Sequence, residues 1–174
     1  MNPSIEEKAT ATLEQLNLTS IPIDPASVAA RLGLSVRFES FSDDLSGVLM
    51  RKPEGSIVAV NSRHGVARQR FTIAHEIGHH VLQHKGDLFI DQTVLNRRDG
   101  RSSYAIDSQE IEANAFAAAL LMPRQQVTNE LIALMNSSMI EQKNLARELA
   151  NRFQVSEQAM SFRLVNLGLI TSLE

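Results

Sequence analysis

The residues best suited to do chemistry in this chain are His75, Glu76 and His79, which form the pattern His-Glu-x-x-His. Two histidines four positions apart lie one turn apart on the same face of a helix, so both imidazoles can bind one metal ion. Glu76 lies about 100° around the helix from His75, beside the pair. A carboxylate there can accept a proton from a metal-bound water without binding the metal itself. The pattern therefore predicts a metal site with a general base next to it.

The surroundings of this pattern argue against its chance occurrence on a surface helix. All five histidines of the 174-residue chain fall between positions 64 and 84. The neighbours of the pattern are apolar around most of the helix: Phe71, Ile73, Ala74, Ile77, Val81 and Leu82. A helix that is apolar nearly all round is buried, and a buried glutamate or histidine needs a partner that offsets its desolvation. Gly78 costs about 1 kcal/mol relative to alanine inside a helix, and it predicts the close approach of another backbone or a ligand.

The third metal ligand must come from another part of the chain. A catalytic zinc usually has three protein ligands and one open position for water. The continuation with a third histidine six residues after the second is excluded, because position 85 holds a lysine. The best candidates are Glu110 and Glu112, early in a second strongly apolar helix. We favour Glu110, since Asn114 follows on the same face and could hydrogen-bond a metal-binding histidine, and Glu112 is the alternative.

Several of these candidate residues also have a purely structural interpretation. Asp107 and Glu110 have the spacing of a capping box at the start of a helix. Hydrolysis at a metal site of this kind usually also needs a group that stabilises the oxyanion. Tyr104, His80 and His84 are the candidates for that role, and each could equally be a surface or packing residue.

The composition restricts the class of protein. A formal net charge of -3 gives no electrostatic footprint for nucleic acid over the whole chain. Cysteine is absent, which excludes disulfides, cysteine zinc ligands and thiol nucleophiles and fits a reducing compartment. The first ten residues are polar and acidic, unlike a signal peptide, and no apolar run approaches the roughly 20 residues of a membrane span. We therefore expect a cytoplasmic protein without membrane contact.

The hydrophobic periodicity predicts an α+β fold. Helical spacing covers residues 5–17 and 24–33, and three short strands follow at 34–39, 47–51 and 56–61. The active-site helix is expected to end near residues 85–86, residues 87–106 have an irregular pattern, and the second apolar helix opens at Asp107 and ends at Pro123. Residues 145–168 resemble a helix-turn-helix, with Ser156 as N-cap and Gly168 as C-cap. We predict a domain over 1–135 that contains the metal site and a helical subdomain packed on it over 136–174.

Two segments together resemble the signature of the ImmA/IrrE family of small metallopeptidases. They are HEIGHH at 75–80 and EIEANAFAAALLMP at 110–123, and the likeness extends over most of residues 25–170. The resemblance implies a compact zincin-type fold, with a small three-stranded sheet packed on the active-site helix. By position it implies that His75 and His79 are metal ligands, that Glu76 is catalytic and that Glu110 is the distal ligand. The implied cofactor is one Zn²⁺ ion, with Mn²⁺ as the other possibility.

The resemblance also implies an activity and a partner. Family members are typically metalloendopeptidases that cleave helix-turn-helix repressors of the Xre type, and so act in transcriptional regulation. The alternative is a regulator that holds zinc and binds DNA or a repressor without proteolysis. Residues 141–165 carry a surplus of only one positive charge, whereas phosphate binding normally needs more. We therefore expect the helical tail to pack or to dock a repressor, and direct DNA binding is not expected.

Overall fold

The structure is a computed structural model that describes residues 4–92, 103–136 and 144–171. Within these ranges two helices come first, three short strands follow, and a fourth strand lies between the third and fourth helices. In chain order they are α1 (Ile5–Gln15), α2 (Pro25–Arg31), β1 (Leu34–Glu39), β2 (Leu45–Met50), β3 (Ser56–Asn61), α3 (Val66–Val81), β4 (Leu88–Gln92), α4 (Ser103–Leu121), α5 (Arg124–Asn136), α6 (Leu145–Phe153) and α7 (Glu157–Asn166). The predicted α+β class is confirmed.

The sheet has four strands in the order β1-β3-β2-β4. β1 pairs with β3 in parallel, while β2 is antiparallel to both β3 and β4. The predicted three-stranded sheet was therefore one strand short, because β4 lies in the segment with an irregular pattern. Of the large apolar side chains of β4, Phe89 is buried, whereas Leu88 and Ile90 are exposed. Three consecutive apolar residues do not show the alternation of apolar and polar residues that marks a strand in the sequence. Pairing with β2 gives this short strand its hydrogen bonds.

The sheet supports α3 through its apolar face. Leu49, Val58 and Val60 are almost completely buried, and α3 contributes Ile73 and Ile77 to the same core. Side chains at alternate strand positions point to one face, so the period-two pattern of β2 and β3 places them under the helix. This packing fixes the helix that carries the predicted metal ligands.

α3 ends earlier than predicted, at Val81 instead of near residues 85–86. Gln83 adopts a left-handed conformation with φ of 56°, which turns the chain out of the helix. Arg51, just after β2, donates hydrogen bonds to the carbonyl oxygens of His79, His84 and Gly86 at 2.6–2.8 Å. These bonds connect the last turn of the helix and the segment after it to the end of β2. As a result His84 lies in the turn after α3 and not on the helix.

The C-terminal helices pack on the rest of the molecule. Leu149, Phe153, Met160 and Leu164 belong to the same buried cluster as the core beneath α3. α6 and α7 form the predicted helix, short turn and helix, and the Ser156 hydroxyl accepts a hydrogen bond from the Ala159 N–H as an N-cap. The division at residues 135 and 136 stays a prediction. None of the helices in the described parts of the chain has both the length and the apolar character needed to cross a bilayer.

Candidate metal centre

α3 brings His75, Glu76 and His79 into the interior of the protein. Their exposed fractions are 3%, 0% and 1%. The Nε2 atoms of His75 and His79 lie 3.0 Å apart, as expected for histidines one helical turn apart. Two imidazole nitrogens therefore point at one position between them.

Glu110 on α4 completes a set of three possible ligands. Its carboxylate oxygens lie 3.2 Å from the Nε2 of His75 and 3.6 Å from the Nε2 of His79. Bond lengths of about 2.0–2.2 Å in a tetrahedral zinc site place neighbouring ligand atoms about 3.3 Å apart. The distances in this cluster bracket that value, so these side chains fit a small divalent metal.

The alternative ligand, Glu112, faces away from this cluster. Its Oε2 lies 3.0 Å from the Nε2 of His84. Residues 110 and 112 are two positions apart on α4 and therefore project about 200° apart around the helix axis. Of the two glutamates, only Glu110 joins His75 and His79 in a group whose ligand atoms all lie within 4.8 Å of one another.

Gly78 is the reason that α4 can come so close to α3. A Cβ atom on this glycine would lie 3.1 Å from both the Cα and the carbonyl oxygen of Ala113, and 3.3 Å from the Cβ of Phe116. The predicted close approach of another backbone at Gly78 is thus confirmed, and the alanines of α4 form the other side of the contact. Small residues on both helices let Glu110 reach the histidines of α3.

Asn114 occupies the position that the sequence suggested for it, behind a histidine. Its Oδ1 lies 3.1 Å from the Nδ1 of His75. An imidazole that binds a metal through Nε2 carries its proton on Nδ1, and the amide oxygen can accept that hydrogen bond. Asn114 therefore holds the ring of His75 with Nε2 directed at the cluster.

The corresponding partner of His79 is His84, a role that the sequence interpretation missed. The Nδ1 atoms of the two rings lie 2.9 Å apart. As a candidate for oxyanion stabilisation His84 was wrong, because it contacts the side of His79 that faces away from the cluster. The sequence interpretation missed this role because it placed the end of α3 too late. On a helix that continued to residue 85, the His84 ring would point away from His79.

Glu76 is completely buried beside the cluster. Neither of its carboxylate oxygens has a hydrogen-bond partner among the residues that the structure describes. Gly47 of β2 passes directly over it, because a Cβ there would clash with the Thr72 Cγ2 and lie 3.6 Å from the Glu76 Oε1. A buried carboxylate without a partner is costly, and such groups are typical of sites where chemistry takes place.

Burial also shifts the pKa values of Glu76, His79 and His75. Desolvation raises the pKa of Glu76 to about 8. It lowers the pKa of His79 to about 3, helped by the nearby His75, so this ring is neutral as a metal ligand must be. Desolvation also acts to lower the pKa of His75, but the hydrogen bond with Glu110 and the charge of Glu76 outweigh it, and the pKa is raised. Strong perturbation of this kind is characteristic of functional sites.

The remaining candidates for oxyanion stabilisation are His80 and Tyr104. His80 is partly buried on α3, and burial lowers its pKa. Tyr104 belongs to the first turn of α4, which begins four residues before the predicted start at Asp107, but its side chain lies outside the described residues. Its catalytic role therefore stays a prediction.

Comparison with known proteins agrees with this geometry. The chain matches the Peptidase_M78 family, described as the IrrE N-terminal-like domain, over residues 29–165. It is 34% identical over 112 residues to the radiation response metalloprotease IrrE of Deinococcus radiodurans, covering 64% of this chain and 31% of that protein. It is 38% identical over 79 residues to the protein of the same description from Deinococcus deserti, covering 45% of this chain and 27% of that one.

A third relative is a phage protein of similar size. The chain is 24% identical over 131 residues to uncharacterized immunity region protein 2 of Bacillus phage phi105, covering 70% of this chain and 78% of that protein. By contrast, the chain spans less than a third of the length of the two Deinococcus relatives. The family match covers most of the chain and includes every residue of the cluster described above. The chain therefore belongs to the ImmA/IrrE family of metallopeptidases.

Proposed function

We propose that this chain is itself a zinc-dependent metalloendopeptidase, in which His75, His79 and Glu110 hold one Zn²⁺ ion. The observation that supports this most directly is the convergence of their ligand atoms within 4.8 Å, next to the buried carboxylate of Glu76. Two imidazoles and one carboxylate are a typical ligand set for catalytic zinc. Mn²⁺ is the weaker candidate, because it favours sites made mainly of oxygen ligands.

Glu76 acts as the general base in this proposal. A zinc ion held by His75, His79 and Glu110 would acidify water in the site and polarise the scissile carbonyl. Glu76 would accept the proton of the attacking water and pass it to the nitrogen of the leaving amine. The positive charge of a bound metal favours the ionised form of Glu76, against the effect of burial. Asn114 keeps the ring of His75 in the required orientation throughout.

Tyr104 is our proposed oxyanion stabiliser. It lies six residues before Glu110 on the same helix, and a phenol can donate a hydrogen bond to a developing negative charge. Tyr104→Phe should then lower kcat by about 10²–10³-fold with little change in KM, because the lost bond forms only in the transition state. Steady-state kinetics on a peptide substrate measure this, and an unchanged kcat would remove Tyr104 from the mechanism.

The proposed substrate is a helix-turn-helix repressor of the Xre type, encoded close to this chain. The family resemblance supports this assignment, and one relative is described as an immunity region protein of a phage, which is compatible with it. A repressor is a cytoplasmic protein, so the proposal also requires this chain to be cytoplasmic.

The competing function, a zinc-holding regulator that binds DNA through its tail, has weaker support. Arg163 of α7 is 6% exposed and pairs with Glu6, so it cannot reach a phosphate without breaking that pair. The more exposed Arg147 and Arg152 form ion pairs with glutamates. Phosphate binding needs several basic side chains that face solvent on one surface. The tail is therefore better suited to packing and to contacts with a partner protein.

The decisive experiment is cleavage of a purified repressor. The full chain, loaded with one equivalent of Zn²⁺, is incubated with the Xre-type repressor from the neighbouring gene, and fragments are identified by mass spectrometry. We expect a small number of defined fragments, none after removal of zinc by a chelator, and none with Glu76→Gln although that variant still binds zinc. Full activity of Glu76→Gln would disprove the mechanism. A stable complex with the repressor and no fragments would favour the regulator without proteolysis.

A further inference from the structure

We infer that Glu112 and His84 work as a pair that positions His79, by fixing which nitrogen of each ring carries the proton. The three side chains form a continuous row from the surface to the cluster. Glu112 is half exposed, whereas His84 and His79 are buried. The inference rests on the proposed function, since it concerns how His79 is held as a metal ligand.

The hydrogen atoms in this row can be assigned from the chemistry of each group. His79 faces the cluster with Nε2, so when this nitrogen binds the metal the proton of the neutral ring is on Nδ1 and must be donated. Its nearest acceptor is the Nδ1 of His84, at 2.9 Å. Nδ1 of His84 accepts only when the proton of that ring is on Nε2. This proton in turn is donated to the Oε2 of the Glu112 carboxylate, an acceptor at 3.0 Å.

Glu112 is needed because an imidazole can serve either as donor or as acceptor at Nδ1. If His84 carried its proton on Nδ1, two N–H groups would face each other. The ring of His79 would then have to rotate, or its proton would have to move from Nδ1 to Nε2. The carboxylate favours the other form of His84. Asn114 fixes the proton of His75 on Nδ1 without a further partner, because an amide oxygen can only accept a hydrogen bond.

The backbone around His84 is built to keep this ring in place. The His84 N–H donates to the carbonyl oxygen of His79 at 3.2 Å. The His84 carbonyl oxygen accepts from the guanidinium of Arg51, which also holds the carbonyl of His79. The His79 and His84 rings meet edge to face, with centroids 4.9 Å apart. The turn after α3 thus presents the Nδ1 of His84 to His79 independently of α4.

Two simpler explanations must be separated from this one. His84 could merely fill space beneath His79, and Glu112 could merely add negative charge near the metal. Filling space predicts that a ring of similar size replaces His84 without loss. A through-space charge predicts that every substitution that removes the charge of Glu112 has the same effect, whatever residue occupies position 84.

The test measures zinc affinity by competition with a chromogenic chelator, with the full chain and its single variants. His84→Phe keeps the ring but removes the acceptor, and it should weaken zinc binding by about 10–100-fold. His84→Asn places an amide oxygen where the Nδ1 was, and it should restore most of the affinity. Glu112→Ala should weaken binding by about tenfold or less, because water can partly replace a half-exposed acceptor. Glu112→Gln keeps an acceptor and should bind zinc nearly as well as the wild type.

The sharpest measurement combines two of these changes. In the His84→Asn background, Glu112→Ala should have no effect on zinc affinity, because an amide oxygen needs no partner to be an acceptor. An equal loss in both backgrounds would overturn the inference in favour of a charge effect. Glu54→Gln, which removes an exposed carboxylate from the turn between β2 and β3, is the matched control and should leave the affinity unchanged.

The outcomes also separate this inference from the proposed function. Wild-type protein that binds zinc, with His84→Phe and Glu112→Ala binding it equally well, would overturn the role of the pair and leave the metal centre intact. Wild-type protein that binds no zinc would overturn both. Because Glu112 is half exposed, its variants report on the pair even if a substitution at the buried His84 impairs folding.

Discussion

Two helix pairs in this molecule bury charged side chains in opposite ways. Where α3 meets α4, the carboxylate of Glu76 is fully buried and has no hydrogen-bond partner in the described parts of the chain. In the tail formed by α6 and α7, the side chain of Arg163 is also buried, at 6% exposed, but each nitrogen of its guanidinium has a hydrogen-bond partner. It donates to the Met122 carbonyl at 2.9 Å and pairs with both carboxylate oxygens of Glu6.

The difference indicates which pair is built for chemistry. A buried charge with all its hydrogen bonds made is held in one state and ties together the elements that surround it. A buried carboxylate without partners is costly to keep, and it becomes useful only when a metal, water or substrate arrives. We therefore propose that the α3–α4 pair is the reactive part of the molecule and that the tail is a structural part. Each prediction below tests one side of this comparison.

The largest effect is expected from Glu76→Gln. Loss of the general base should lower the rate of peptide hydrolysis by about 10²–10⁴-fold.

The same substitution should change how stability depends on pH. The pKa of Glu76 in the folded state, about 8, lies above that of an unfolded glutamate, so folded Glu76 holds its proton over a pH range in which the unfolded chain releases it. The metal-free wild type therefore loses stability as pH rises from about 4.5 towards 8, and Glu76→Gln should remove this loss. Urea unfolding of both metal-free proteins across this range measures it, and a glutamine variant that is less stable at pH 8 would contradict the comparison.

Arg163→Met should have the converse effect, on stability and not on the site. It leaves Glu6 and the Met122 carbonyl without their partner, which costs about 2–3 kcal/mol after allowance for the partial exposure of Glu6. The zinc affinity of the folded variant should stay within about twofold of the wild type, since no contact of the cluster is lost. Urea unfolding and zinc competition together provide the measurement, with Glu6→Gln as a milder control. A variant of normal stability that no longer binds zinc would place the tail within the site.

Much of the reactive pair could be predicted from the sequence, because its geometry follows from helix periodicity. The spacing of His75 and His79 places both rings on one face, and Gly78 together with the alanines of α4 predicts a close crossing. The preference for Glu110 over Glu112 also agrees with the cluster that the structure brings together.

What could not be predicted depends on contacts between distant segments. The end of α3 is set by Arg51, thirty residues upstream, and β4 is defined by its pairing with β2. The role of His84 depends on the first of these, since the turn at Gln83 brings its ring back to His79. The buried pairing of Arg163 with Glu6 joins the two ends of the described chain, and no local pattern announces it.

Gly78→Ala should have an intermediate effect on both properties. The added Cβ meets backbone atoms of Ala113 at 3.1 Å, and the resulting strain exceeds the gain in helix propensity, so we expect a loss of about 1 kcal/mol. Zinc binding should weaken as well, because α4 carries Glu110 away from the histidines. Gly65→Ala, at the start of the same helix and with nothing near its Cβ position, is the matched control. Normal zinc affinity in Gly78→Ala would mean that the crossing distance does not control the site.

The smallest effect is expected from Arg147→Gln in the tail. Its ion pair with Glu157 is largely exposed, with side-chain exposures of 65% and 48%, and such pairs contribute about 0–1 kcal/mol. If the tail is structural, the variant should also leave any weak binding to DNA unchanged, as measured by fluorescence anisotropy at about 50 and 200 mM salt. A DNA-binding tail would behave differently, because loss of one phosphate contact reduces the salt dependence of affinity by about one unit of slope. Such a reduction would show that the tail binds DNA. An unchanged slope would support a structural tail, with the chemistry confined to the site between α3 and α4.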